Sequence, residues 1–579
     1  MAFSLRQRPE HVQQLRAKIF DLLVVGGGIT GAGIARDAAL RGLSVALVDR
    51  GDFACGTSSR SSKLIHGGLR YLEMGDVGLV FEAVRERQRL LHLAPHLTRP
   101  QSFVLPVWKD SKHGLFLLDV GLTVYDMLAA FAGVVRHRSV RKSAVLRMEP
   151  LLRPDDLVGG VRYFDAMTDD GRLVLANIRG AVEAGATCVS RVSFVEPAWK
   201  AGKLVGARVR DELKGEMLQV GAKVIVSAAG PWTDELLGRW KGQAVPPALK
   251  PSKGVHVVVP RHKLPLSQAV TMTSPLDGRV VFALPWPDAT VLGTTDTPYS
   301  GQLDEPGTTF ADADYLVQTA NAVLQGPEGP LAVSDIVSTW SGIRPLVVSE
   351  ASTSYKTSRE HQIITDPRGL VTIAGGKLTT YRVMAQQTVD AALKLLPQPQ
   401  VDALKACQTA ELPLPGADKL PSRNRPIDTL IDHLRQQFQL DEKAARHLAW
   451  QYGSDAPDVL AVQNAEPQGQ ERLLDDLPVT WGELRWLADH EMPLTLVDLC
   501  VRRSNLYYCA GDRLLDLAQP LAERFAGWLG LPDSQVPVLA AELQAYVASH
   551  RVQVAAADSA ARAAIRSASP LPTTVADAA

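Results

Sequence analysis

Two periods of apolar residues alternate along this chain, and their order predicts its elements. Residues 22–25 form a short apolar run that ends in glycines, an Ala-rich stretch of helical period follows at 32–41, and a second apolar run, 43–48, closes on Asp49. That order reads strand, tight turn, helix, strand. Ahead of it, Val12, Leu15 and Ile19 have helical spacing and predict a short amphipathic helix. After a turn-rich stretch at 148–169, residues 171–186 predict a helix ending on Gly185, 188–195 a strand, and 204–210 with 216–221 a hairpin. The β-rich run 224–226 meets Ala228, Ala229 and Gly230, and Pro231 suits the first turn of a helix. Between 250 and 348 the pattern changes to short alternating strands, 255–259, 280–284 and 290–293, which predict an antiparallel sheet interrupted by a helix at 311–324. Residues 371–381 predict a strand, a Gly375-Gly376 turn and the start of a helix that runs to Leu395.

Six prolines, Pro397, Pro399, Pro413, Pro415, Pro421 and Pro426, then mark a linker. Helical periodicity returns at 427–452, 480–490 and 494–546, so residues 427–550 read as a separate α domain. From Arg551 the chain is rich in Ala, Ser and Pro and reads as a disordered tail.

Composition narrows the class. At 579 residues, 46% of them apolar, the chain is globular and exceeds a single core. With 62 basic and 62 acidic residues it carries no global field that would draw nucleic acid, so an anion site must be a local cluster. The cysteines, Cys55, Cys188, Cys407, Cys500 and Cys509, are odd in number and form no C-x-x-C pair, which suits a reducing cytoplasm and indicates no zinc or other metal site. The first twenty residues lack the apolar core of a signal peptide. The nearest approach to a membrane span, 114–135, contains Asp119 and Asp126, each costing roughly 2.5–3.5 kcal/mol at a bilayer centre. With Arg136 and Arg138 just beyond it, this stretch either lies in a membrane interface on anionic head groups or is a buried helix.

The chemistry concentrates at 21–71. Gly26, Gly28 and Gly31 have the G-x-G-x-x-G spacing that a dinucleotide site needs for a tight turn, close backbone approach to a pyrophosphate, and helix-on-strand packing. The helix N-terminus offers N–H groups to the phosphates, and Asp49, eighteen residues after Gly31, is placed to accept from ribose hydroxyls. A nicotinamide enzyme would continue with another strand and helix. This chain instead gives a loop of small polar residues at 57–62, then Lys63, Leu64, Ile65, His66 and a Gly67-Gly68 pair. Hydroxyls and bare backbone suit a pyrophosphate and a ribityl chain, which favours flavin.

At this point the residues carry a resemblance. GGGITGAGIARDAALRGLSVALVD followed by TSSRSSKLIHGGLRYLE resembles the FAD-dependent glycerol-3-phosphate dehydrogenase family, and HEMPLTLVDLCVRRSNL at 490–506 resembles its C-terminal domain. The resemblance extends from about residue 21 to about residue 545. It implies an α/β fold: a Rossmann-like FAD-binding domain, an antiparallel-sheet substrate domain and a C-terminal all-α domain. The expected FAD-binding parts are 15–110, 151–245 and 351–396, with 111–150 a substrate-domain or membrane-facing segment, 246–350 the substrate domain, 397–426 the linker and 551–579 the tail.

The FAD set implied is Gly26, Gly27, Gly28, Ile29, Thr30, Gly31, Asp49, Arg50, Thr57, Ser58, Ser59, Ser62, Lys63, Leu64, His66, Gly67, Gly68, Val192, Ala229, Gly230, Gly375, Gly376, Lys377, Leu378 and Thr379. Backbone N–H groups of Gly376, Lys377 and Leu378 would stabilise negative charge on a reduced flavin. The substrate set is Arg70, Tyr71, His256, Arg344, Arg359 and Lys377. Three arginines and a lysine beside a flavin demand an anion, and guanidinium forks match phosphate oxygens. His256 is the candidate base for the substrate hydroxyl, with Arg344 or Lys377 stabilising the developing alkoxide.

The family further implies that glycerol 3-phosphate is oxidised to dihydroxyacetone phosphate, with electrons passing to a membrane quinone. The enzyme would then sit peripherally on the cytoplasmic face of a bacterial inner membrane, against an anionic surface. A homodimer is left open. The alternatives are a soluble oxidase that uses oxygen, an amine or amino-acid oxidase, and a non-catalytic flavoprotein scaffold.

Overall fold

The computed structural model describes residues 3–68, 77–111, 114–130, 136–348, 361–422 and 424–552, without the side chains of 124–130. Arg70, Tyr71, Arg359 and the tail from residue 553 lie outside the described residues.

Two sheets divide the work. In the first, the strand Ile19–Val25 is central: it pairs in parallel with Val45–Asp49 on one side and with Glu216–Ser227 on the other. Thr187–Ser190 extends the sheet beyond Val45–Asp49, and Leu370–Gly375 beyond Glu216–Ser227. His361–Asp366 closes that edge antiparallel. The central strands are apolar on both faces because both are covered, one by the helices Ile29–Arg41, Asp170–Glu183 and Tyr381–Leu393, the other by the strands Val192–Lys200 and Lys203–Asp211 with the helices Arg8–Ala17 and Thr233–Lys241. The helix Ile29–Arg41 packs across Tyr381–Leu393, where Gly33 leaves room for the Tyr381 ring.

The second sheet has ten strands, in the order Thr297–Pro298, Leu249–Pro260, Ala289–Gly293, Val280–Pro285, Ala269–Thr273, Thr98–Trp108, Leu157–Thr168 and Leu64–Ile65. Ser338–Val347 pairs along Leu249–Pro260, and Arg138–Arg141 along Leu157–Thr168. The helix Phe310–Val323 packs on this sheet through Leu316, Val317 and Ala320.

Several expectations change. Ile19 belongs to the first strand and is 74% exposed, while the helix Arg8–Ala17 buries Val12 and Leu15. The stretch 188–195 is two strands, Thr187–Ser190 and Val192–Lys200, separated by Arg191 in a left-handed conformation (φ 58°). Residues 216–221 and 224–226 are one strand, Glu216–Ser227, which pairs antiparallel with Lys203–Asp211 and then parallel with Ile19–Val25. The turn-rich stretch 148–169 contains a twelve-residue strand, Leu157–Thr168, hidden by the Gly159-Gly160 pair. Both glycines are needed there, because a Cβ would stand 2.6 Å from the Val140 carbonyl oxygen or 2.9 Å from that of Leu105. That strand and Thr98–Trp108 sit in the second sheet although their sequence positions group them with the first.

The proline-marked stretch is held down at residues 412–414. Arg36 donates to the carbonyls of Leu412 and Pro413, each at 2.9 Å, and Leu414 is buried with its N–H on the Leu93 carbonyl. Beyond it come the helices Pro426–Phe438, Glu442–Tyr452, Ala456–Ala465, Trp481–His490, Leu506–Ala510, Leu514–Leu529 and Val536–Ser549. Asp441 and Thr480 cap two of them by accepting from Ala444 and Glu483 N–H.

Buried ions fasten this helical region to the first sheet. Arg172 forms a fork on Glu491 (2.7 and 2.9 Å), and Arg502 and Arg503 both bind Asp52, in the loop that follows Asp49.

Candidate active site

The glycine turn is built by exclusion. Gly26 has φ +110°, and a Cβ on it would lie 2.4 Å from the Ala228 carbonyl oxygen; one on Gly31 would lie 1.8 Å from the Gly26 carbonyl oxygen. Only bare backbone fits, so a ligand can approach the main chain closely. Asp49 accepts from Gly27 N–H (2.6 Å) and Gly51 N–H (2.7 Å). A carboxylate has about four acceptor positions, so capacity remains for hydroxyl donors. Burial raises its pKa, against the pull of the two N–H groups. Ser58 Oγ accepts from Ile29 N–H at 2.9 Å, which folds the polar loop over the helix N-terminus. The Cβ position of Gly28 points at that same oxygen. Ala229 N lies beside Gly26, Gly230 opens a short turn with φ +54°, and Val192 is fully buried at the start of its strand. Arg50 lies 4.7 Å from the centre of the Trp232 ring and pairs with Asp304. These residues fit an adenine dinucleotide: a crowded glycine turn, a helix end and an acid at the close of the second strand.

The same loop docks on the second sheet. Register places Ser252 opposite Arg344, Gly254 opposite Gly342, and His256 opposite Trp340, so these six share one face of an antiparallel pair. The two glycines make the space. The Cβ position of Gly254 is filled by the Arg344 guanidinium at 2.4 Å, and that of Gly342 by the Arg60 carbonyl oxygen at 2.4 Å. Across this face Trp340 Nε1–H donates to the Ser61 carbonyl (3.0 Å), Thr57 Oγ1–H to the Ile343 carbonyl (2.6 Å), and Ser62 Oγ lies 2.9 Å from His256 Nε2. The polar loop and the strands that carry His256 and Arg344 thus form one surface.

His256 is the most constrained residue on it. Its ring stacks on Trp340 (4.9 Å between centroids, 12°) and lies over Gly293, where a Cβ would be 2.1 Å from Cδ2. Nδ1 is buried and has no hydrogen-bond partner among the described residues. Burial first, then Arg344 and Lys63, hold the imidazole well below its ordinary pKa of 6.5, so it is neutral. Arg344 is oriented by Asp296 (3.3 Å), Thr294 Oγ1 (3.1 Å) and the Thr295 carbonyl (3.1 Å).

Lys63 sends its ammonium into a buried ion pair with Asp170 and toward the Ser59 carbonyl. Its neighbour Leu64 enters the short strand that pairs with Met167. Thr379 Oγ1 accepts from His66 N–H (3.2 Å) and donates to the His66 carbonyl (3.3 Å). That joins the turn of Gly375, Gly376, Lys377 and Leu378 to the loop. Leu378–Thr380 is a single 3₁₀ turn ahead of the helix Tyr381–Leu393, so the helix proper starts later than its sequence pattern predicts. Gly67 N–H donates to Asp165 (3.1 Å), which Arg87 holds in turn, and the next residue, Gly68, has φ +75°.

Sequence reasoning missed Trp340, Asp296, Asp165, Arg87, Asp52 and Tyr508. Only Trp340 left a signal, its even spacing from Gly342 and Arg344.

Glycine-cradled parallel strands, joined through a polar loop to a second sheet that is antiparallel except where Ala269–Thr273 meets Thr98–Trp108 in parallel, are the build of an FAD-dependent oxidoreductase. The family model described as FAD dependent oxidoreductase matches residues 21–390, and that described as the C-terminal domain of alpha-glycerophosphate oxidase matches 407–536. The aerobic glycerol-3-phosphate dehydrogenase of Staphylococcus saprophyticus is 36% identical over 553 residues, covering 94% of this chain and 97% of its own. That of Staphylococcus epidermidis is 37% identical over 551 residues, with the same coverage. The glycerol-3-phosphate dehydrogenase of Bacillus halodurans, solved in complex with FAD, superposes with a TM-score of 0.76 at 31% identity, covering 95% of this chain and 98% of that one. The chain belongs to the family of FAD-dependent glycerol-3-phosphate dehydrogenases.

Proposed function

We propose that this enzyme oxidises the secondary hydroxyl of sn-glycerol 3-phosphate to give dihydroxyacetone phosphate, with His256 taking the hydroxyl proton. Bound FAD supplies the two-electron acceptor. The observation that carries the reading is a buried imidazole, stacked on Trp340 and flanked by the Arg344 cation, with one nitrogen that has no partner among the described residues; burial and Arg344 hold its pKa well below the ordinary value. A neutral imidazole can accept a proton. A phosphate beside Arg344 would offset one of the charges that depress His256, so substrate binding itself raises the basicity of the acceptor. Arg344 and Lys377, with Arg70, Tyr71 and Arg359, hold the phosphate in this reading and favour the developing alkoxide. Anaerobic addition of glycerol 3-phosphate should discharge the yellow absorbance of the enzyme within one turnover. Equal discharge by glycerol would remove the phosphate pocket.

In this proposal the electrons leave to a membrane quinone, with the protein peripheral on the cytoplasmic face of a bacterial inner membrane. Among the described residues no helix is long and apolar enough to cross a membrane. The helix Leu115–Ala130 exposes Phe116 (84%), Leu117 and Val120, and Val77 and Phe81 are exposed on the helix Val77–Leu93. Arg136, Arg138, Arg141 and Lys142 are exposed beyond the first. Apolar side chains beside a basic cluster suit an anionic interface. Flotation with anionic vesicles should be lost on Arg136→Glu with Arg138→Glu. Oxygen is the second acceptor to weigh, because the matching C-terminal family model is described from an oxidase; hydrogen peroxide yield against quinone reduction separates the two.

A further inference from the structure

The helical region meets the strand Ser338–Val347 through Tyr508, beside contacts from Tyr507 and His550 to Thr339. Tyr508, on the helix Leu506–Ala510, donates its phenolic hydrogen to the Ser59 carbonyl (3.3 Å) and packs edge-on against Trp340 (5.0 Å, 68°). Its own carbonyl receives Ser338 Oγ–H (2.7 Å), which ties the helix to the strand that carries Trp340 and Arg344. Trp340 in turn stacks on His256 and holds the Ser61 carbonyl. Two carbonyls of the polar loop, those of Ser59 and Ser61, are therefore held by a phenol and an indole from outside it, just ahead of the Ser62 hydroxyl that meets His256. Lys63 Nζ lies 4.9 Å from the Tyr508 ring centre and 5.6 Å from that of Trp340.

We propose that Tyr508 and Trp340 are positioning residues through which the C-terminal helical domain sets the imidazole of His256 against Ser62 and excludes water from it. The kinetic half of the inference rests on His256 being the proton acceptor proposed above; the geometric half does not.

Phenol and indole are rigid donors that lose few rotamers on ordering. The indole covers one face of the His256 ring, whose other face lies over Gly293, and the phenol packs edge-on against the indole. The charged groups facing His256 are Arg344, held by Asp296, and Lys63, held by Asp170. None of these pairs includes residue 508, so removing the phenol ring changes hydration and alignment while both ion pairs keep their partners.

The test is a pair of variants, Tyr508→Leu and Tyr508→Phe, made in the full chain with FAD bound. The His256 titration is followed by NMR in enzyme labelled at histidine Cε1 and assigned by its loss in His256→Asn. Tyr508→Leu should raise the His256 midpoint by about one pH unit as water enters. It should also lower kcat about tenfold with little change in KM. Tyr508→Phe, which keeps the ring and is the variant safest for folding, should restore the titration and leave kcat lowered about threefold through loss of the Ser59 bond. An unmoved titration in a folded Tyr508→Leu enzyme, or wild-type kcat and titration in both variants, would overturn the proposal. A shifted titration with unchanged kcat would support the positioning and instead remove His256 as the base.

Discussion

The two ends of the candidate active site are built by opposite means. The dinucleotide end, Gly26 to Asp49, is local in sequence and made of main chain: glycines that touch carbonyls, a helix terminus, and a carboxylate held by two N–H groups. The reacting end is made of side chains from distant segments, each kept in place by a neighbour: Arg344 by Asp296, His256 by Trp340 and Ser62, Gly67 by Asp165 and Arg87. The first end is specified by what cannot fit, the second by what must be supported. Steric specification fails all at once, whereas supported specification fails by degrees.

Gly31→Ala should therefore have the largest effect. Its Cβ would fall 1.8 Å from the Gly26 carbonyl oxygen, so the purified protein should carry essentially no flavin, as read from its absorbance. An enzyme that retained full FAD occupancy would show the turn to be more yielding than the contact allows. At the other end, His256→Asn should leave FAD bound and lower kcat by about a hundred- to ten-thousandfold, the usual contribution of a positioned base. Steady-state kinetics with constant flavin content would check it.

The support shell is next. Arg503→Met leaves the buried Asp52 with Arg502 alone, and breaking a buried pair typically costs about 3–5 kcal/mol. We expect the lower end because one guanidinium remains. Denaturant unfolding gives the loss, and the Asp49 loop should weaken its hold on FAD with it. Burial pushes the Asp52 carboxyl up, but Arg503 and Arg502 outweigh it and hold it down at about 2.

The smallest effect expected comes from pH. His96, buried beside Arg172 and Arg179, is pushed down to about 3, and His550, buried beside Arg60, to about 4. Both stay neutral in the folded chain while an unfolded histidine charges near 6.5. Below that value the unfolded state binds more protons, so stability is present above pH 6.5 and falls as pH is lowered toward the folded values. At pH 5 each such histidine costs about 2 kcal/mol, at 1.36 kcal/mol per unit. His96→Gln should flatten part of that slope in thermal unfolding followed across the range. A slope unchanged by the substitution would assign the acid sensitivity elsewhere.

Strand, glycine turn, helix and acid were legible in 21–49 because the pattern that sets them, apolar period and glycine placement, lies within a few residues, although the turn also packs on the distant Ala228 carbonyl. The helical C-terminal region was legible for the same reason. The strand Leu157–Thr168 was hidden because its glycines answer to the crowding of Val140 and Leu105, which no local pattern records. His256 and Arg344 could be named as candidates only through resemblance to a family. That they share a face depends on register between strands, and their electrostatics depend on Lys63, Asp296 and burial.

The sequence alone thus determined the dinucleotide turn and the order of the elements, since steric and helical preferences act over a few residues. Only the tertiary structure decided which strand lies beside which, that Tyr508 and Trp340 brace the loop, and that His256 is neutral. Pairing, packing and desolvation are properties of groups brought together in space, and the chain order does not contain them.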